Sequence, residues 1–134
     1  MSKAIVVRAN GKTEPIELGD KAGEKIWEVV GGWFDVVRQP DMNISAYVHD
    51  TGLIDKLDPN ACVSAIFNQL LVGDIVICGA TDEEGDHLDL HEMFFEPEFA
   101  NYAHSMNNKP AMNAELAQLR DKIASQPMQV QVIK

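Results

Sequence analysis

Apolar and polar residues change period several times along this chain, and each change marks an element. Ala4 to Ala9 is a short β-branched run that ends at Asn10-Gly11, a pair suited to the positive φ angles of a tight hairpin turn. Thr13 to Leu18 can run back from it, and Pro15, having no N–H, confines that second strand to a sheet edge. From Asp20 to Val30 the period becomes helical. Ile26, Val29 and Val30 share a face, Asp20 is placed to cap the start, and Gly31-Gly32 stops the helix. Trp33 to Val37 and Ile44 to Val48 are aromatic and β-branched runs on either side of Gln39-Pro40-Asp41, expected to pair as strands.

In the second half, Asp58 is expected to cap a helix with Pro59 at its first position, and Val63, Ile66, Phe67 and Leu70 supply its core face. Gly73-Asp74 breaks it, and Ile75 to Cys78 follows as a buried strand. Asp82 to Asp86 is a turn leading into His87 to Leu90, so a second hairpin is expected here. Glu92 to Met106 carries Phe94, Phe95, Phe99, Tyr102 and Met106 and predicts a helix with an irregular start at Pro97. A last helix, capped by Asn113 and ended by Pro127, presents Leu116, Leu119 and Ile123, and Gln129 to Ile133 alternates as a half-buried final strand. Strands and helices do not alternate as in a doubly wound fold. The expected class is α+β, a hairpin-led mixed or antiparallel sheet packed with about three helices.

Composition narrows this further. A chain of 134 residues, 46% hydrophobic and 24% charged, has the size and mixture of one ordered domain, with residues 81 to 134 packed as an extension on the core of 1 to 80. Its 21 acidic and 11 basic residues leave a formal charge of −10, which opposes binding to phosphate backbones or anionic membranes. Direct nucleic-acid binding is therefore not expected. An acidic nucleic-acid mimic would need its carboxylates arrayed on one surface, and they are scattered. The apolar stretch Ala4 to Val7 stops at Arg8, too short for a signal-peptide core or a membrane span. A soluble protein of the cytoplasm is expected.

Candidate chemistry centres on His87-Leu88-Asp89-Leu90-His91. On a strand, His87, Asp89 and His91 share a face and are all metal-ligand types. However, the two histidines of a straight strand stand about 13.5 Å apart, too far to hold one ion. On a helix they would be i and i+4 neighbours, with His49 or His104 as an extra donor. Phe95 stands where the H-E-x-x-H motif needs its second histidine. A divalent-metal-dependent hydrolase is thus the alternative reading, and a solvent-facing polar side the ordinary one. Asp82 to Asp86 lacks the ligand spacing of a calcium loop. Cys62 and Cys78 show no C-x-x-C spacing and are expected to be buried thiols. Trp27, Trp33 and Phe34 straddle the Gly31-Gly32 stop; with Phe95 and Tyr102 they are the candidate binding residues, aromatics that can anchor a partner when core packing does not absorb them.

Ile16-Glu17-Leu18, Val29-Val30-Gly31-Gly32-Trp33-Phe34-Asp35-Val36-Val37, Val48-His49-Asp50-Thr51-Gly52-Leu53, Pro59-Asn60 and Val72 to Ile77 together resemble the domain-of-unknown-function family 3846, over about residues 4 to 80. Asp35 departs from the glutamate expected there. The resemblance implies a small protein often encoded by bacteriophages, with no established reaction, cofactor or catalytic residue. The resulting expectation is a non-enzymatic binding module, a phage accessory protein that meets a host protein or sequesters a small molecule, needing no cofactor. Edge strands and the aromatic tail offer surfaces for homo-oligomerisation.

Overall fold

In the computed structural model, which describes residues 2–125, five strands and four α-helices succeed one another as β1 (Lys3–Val7), β2 (Thr13–Glu17), α1 (Ala22–Val30), β3 (Phe34–Gln39), β4 (Ile44–His49), α2 (Ala61–Phe67), β5 (Ile75–Gly79), α3 (Pro97–Asn107) and α4 (Pro110–Ala124). The class is α+β. All pairings are antiparallel, and the strand order is β2-β1-β5-β4-β3. β5, the last strand among the described residues, lies at the centre and joins the two earlier hairpins, and every one of its residues is buried.

Period-two alternation assigns the faces. Ala4, Val6, Val76 and Cys78 point one way and pack with Leu18 and with Ile26 and Val30 of α1. Ile5, Val7, Ile44, Ala46, Ile75 and Ile77 point the other way, under Val63 and Phe67 of α2 and Phe94 and Phe99 at and beyond a 3₁₀ turn at Glu92–Phe95. Helices cover both faces, so β1 and β5 read as unbroken apolar runs. β2 is an outer strand, where Pro15 costs no ladder bond. The expected final strand at Gln129 to Ile133, and the Pro127 helix stop, lie outside the described residues.

Several local expectations are corrected. Asn10-Gly11 does turn the first hairpin, but Val7 pairs with Thr13, leaving a loop of residues 8–12 in which Asn10 Oδ1 accepts from Lys12 N at 3.0 Å. α2 is capped by Asn60, not Asp58, and ends at Asn68 in the left-handed region (φ 55°), so Leu70 lies beyond the helix. His87 to Leu90 forms no strand and no second hairpin, only a bridge between Thr81 and His87. The reason is topological: β1 and β4 occupy both sides of β5, so no edge is left for a returning partner. Pro97 takes the first position of α3 and starts that helix. Likewise α4 begins at Pro110, and Asn113 lies inside its first turn, donating to Asn107 O at 3.0 Å.

Candidate functional site: an aromatic groove at the end of the first helix

The glycine pair that ends α1 also builds the site. Gly31 adopts φ 88°, and its N–H and that of Gly32 both donate to Trp27 O, at 2.9 and 3.2 Å. This reversal returns the chain so that Trp33 lies edge-on to Trp27, ring centroids 4.5 Å apart at 89°. Trp33 remains 69% and Trp27 42% exposed, a large apolar area that the core does not absorb. Phe34, at the start of β3, closes the floor and meets Tyr47 edge-on at 5.4 Å. Glu24 and Glu28, one helical turn apart and flanking Trp27, complete a hollow of about 570 Å³. Among the described residues the two carboxylates are its only charged groups, so it offers aromatic faces and negative charge together. That combination suits a cation with an apolar stem.

A smaller hollow of about 220 Å³ adjoins the groove through Gly23 and Phe34, and His87 lies in its wall. His87 Nδ1 faces Gly79 O at 2.7 Å and Nε2 faces the Tyr47 hydroxyl at 2.8 Å. A carbonyl only accepts, so Nδ1 donates to Gly79 O, and in the neutral ring Nε2 then accepts from the phenol. Burial pushes the Tyr47 phenol above its ordinary range, reinforced by the nearby Cys78. Ser2 Oγ donates to His87 O at 2.5 Å.

The other expected ligands point elsewhere. Asp89 Oδ1 accepts from Lys3 N at 2.7 Å, and His91 Nδ1 accepts from Met93 N at 3.0 Å. His49 Nδ1 accepts from Thr51 N at 3.1 Å, and His104 Nδ1 lies 3.4 Å from Asn108 Nδ2. Among the described residues, no three or more His, Cys, Asp or Glu side chains are gathered to hold a metal ion. His87, Asp89 and His91 are not brought together. Desolvation pushes the Cys62 and Cys78 thiols up to about 12, keeping them protonated at neutral pH.

The five candidate binding aromatics divide between the faces. Trp27, Trp33 and Phe34 converge on the α1 side. Phe95 packs on the opposite core under Lys3 Nζ, 4.9 Å from its centroid. Tyr102, on α3, tilts against Phe99 at 6.4 Å. Sequence reasoning missed Glu24 and Glu28, although their i, i+4 spacing around Trp27 was a readable signal. On the α2 side, a further hollow of about 540 Å³ runs between the β3–β4 hairpin and the 51–54 turn, lined by Val37, Val48, His49, Leu53, Ile54 and Leu70 among others.

Fold and site together define a small α+β domain with one open five-stranded antiparallel sheet, helices on both faces and an exposed aromatic groove where the first helix enters the sheet. The model of the family named Domain of unknown function (DUF3846) matches residues 1–104, and the chain belongs to that family. The match reaches past the segments that first carried the resemblance and takes in His87 to His91 and Tyr102; residues 105–134 lie beyond it. No curated protein and no solved structure matches the chain. No helix among the described residues is long and apolar enough to cross a membrane.

Proposed function

We propose that this protein is a non-enzymatic interaction module, a bacteriophage accessory protein that docks a basic surface of a host protein in the Trp27–Trp33–Phe34 groove. The observation that carries this reading is the pair of exposed indoles held edge-to-face at 4.5 Å beside Glu24 and Glu28. Exposed aromatics fixed by a rigid turn make low-entropy anchors, and two carboxylates give them a preference for Lys or Arg over neutral side chains. The formal charge of −10 favours encounter with a basic partner at low ionic strength.

The test is a tryptophan-fluorescence titration of the full chain with an arginine-rich hexapeptide, against a glutamate-rich hexapeptide as control. Saturable quenching by the cationic peptide, weakening with added salt, is expected. Trp33→Ala should lose about 30-fold in affinity, as truncated aromatic anchors do, with an unchanged denaturation midpoint. Equal responses to both peptides, or undiminished binding by Trp33→Ala, would sink the reading.

A further inference from the structure

We propose that the open edge of β3 pairs with the same edge of a second copy of this chain, antiparallel about a twofold axis at Val36, joining two five-stranded sheets into one. The first support is a contrast between the two outer strands. β2 is guarded by Pro15, which has no N–H, and by Glu14 and Glu17, the devices by which edge strands resist pairing. β3, Phe-Asp-Val-Val-Arg-Gln, has no proline and balances one acid with one base in an otherwise strongly acidic chain. Val36 at its centre is 41% exposed.

Register supplies the second support. Trp33 O accepts from Asp50 N at 3.0 Å, so the peptide groups of Trp33, Asp35, Val37 and Gln39 face β4. By alternation those of Phe34, Val36 and Arg38 face outward, and among the described residues no hydrogen bond from outside the sheet reaches them. A twofold axis normal to the sheet keeps each residue on its own face, so opposed residues must share a face. The register centred on Val36 is the one that uses all three outward residues of both copies. It sets Val36 against Val36 of the second copy and Phe34 against Arg38 of the second copy, twice over. The first is a β-branched cross-strand pair and the second places a guanidinium beside an aromatic ring. Each opposed pair exchanges two main-chain hydrogen bonds.

This inference stands on edge geometry and does not require the groove to bind a foreign partner. The test is sedimentation equilibrium of the full chain from about 1 μM to 1 mM, with Val36→Lys and Val36→Cys variants whose folding is checked by circular dichroism. A concentration-dependent dimer is expected. Val36→Lys sets two ammonium groups together at the axis and should weaken it at least tenfold. Val36→Cys should form an intermolecular disulfide under mild oxidation, because opposed residues of a hydrogen-bonded pair lie about 5.5 Å apart between Cα atoms; Cys62 and Cys78 are buried and do not compete. A monomer at 1 mM, or a dimer unaffected by Val36→Lys and not cross-linked by Val36→Cys, would overturn the proposal. Phe34 lies in both the groove and the seam, so the two readings are told apart by their variants: Val36→Lys should weaken the dimer, and Trp33→Ala the quenching by the cationic peptide.

Discussion

Replacing Asn107 by alanine should cost far more than its distance from the groove suggests. Asn107 and Asn60 are 3% and 0% exposed and satisfy each other and the surrounding backbone. Asn107 Oδ1 accepts from Cys62 N at 2.7 Å, and Asn60 Oδ1 accepts from Val63 N at 3.4 Å. Two orphan N–H groups in the first turn of α2 are thus capped by two different elements. Asn107 Nδ2 donates to Arg8 O at 3.0 Å and to Asn60 Oδ1 at 2.9 Å. Asn60 Nδ2 in turn donates to Val7 O at 2.9 Å and Gly73 O at 3.0 Å. One polar knot ties β1, α2, the turn before β5 and the end of α3.

Asn107→Ala leaves Cys62 N unpaired and strips Asn60 Oδ1 of its shorter bond, both in buried surroundings. At about 1–3 kcal/mol for the orphaned Cys62 N–H and about 0.5–1.5 kcal/mol for the bond lost by Asn60 Oδ1, which keeps Val63 N, the loss is about 2–4 kcal/mol, a fall in melting temperature on the order of 10 °C. Urea denaturation followed by tryptophan fluorescence measures it. Asn60→Ala and the double variant complete a cycle whose coupling energy should be about 1–2 kcal/mol. Asn108→Ala is the control, because that exposed side chain bonds Asn10 O and His104 O at 2.9 and 2.8 Å and should cost under about 1 kcal/mol. A loss below about 1 kcal/mol for Asn107→Ala, with an unchanged denaturant slope, would refute the reasoning.

Two further outcomes are expected. A Cβ added at Gly79 would lie 2.6 Å from Leu88 O and 3.0 Å from Asp89 O, so Gly79→Ala must displace the crossing backbone at about 1–3 kcal/mol. Amide exchange should then accelerate first at Leu88 and Leu90, whose N–H groups bond Ala80 O and Lys3 O at 2.7 and 2.9 Å; unchanged exchange there would contradict the clash. The chain's two tyrosines, Tyr47 and Tyr102, both have phenols raised by burial from their ordinary value of 10.0. Above that value the unfolded chain releases phenolic protons that the native state still holds, so the associated stability is whole below it and lost as pH rises through the folded values. Absorbance titration at 295 nm should give a higher midpoint in buffer than in concentrated urea, and coincident midpoints would contradict it.

Where a single local rule dominated, sequence and structure agree. Pro15 on an outer strand, Gly31 stopping α1, and the two early hairpins follow from missing donors, left-handed glycine and β-branched runs. Where the outcome depended on what lay next to a segment, sequence was mute. Nothing local reveals that β5 inserts between β1 and β4, and that insertion denies His87 to Leu90 a strand partner. α2 offered Asp58-Pro59 as a plausible start, but the buried donors at Cys62 and Val63 needed acceptors that only Asn60 and the distant Asn107 provide. The groove was half legible. Its three aromatics lie together in sequence, whereas Phe95 and Tyr102 were separated from them by a sheet whose faces could be assigned only after the strand order was known.

The histidines carry the broader lesson, because their spacing resembled chemistry while their contacts belong to folding. His49 and His91 each accept, through Nδ1, the N–H two residues on, at Thr51 and Met93. This is the local bond by which Asn or Asp side chains close a turn. His87 spans Gly79 O and the Tyr47 hydroxyl, fastening the segment after β5 across the end of that strand. Converting any of these nitrogens to a metal ligand would first require giving up a bond that holds the local chain path. The Trp27–Trp33 pair is in the opposite situation: its indole faces are presented to solvent by a turn whose backbone bonds are already complete. Binding there displaces water from apolar surface and breaks nothing in the fold. Of the two constellations, the groove is the one that can gain a ligand without a compensating structural loss.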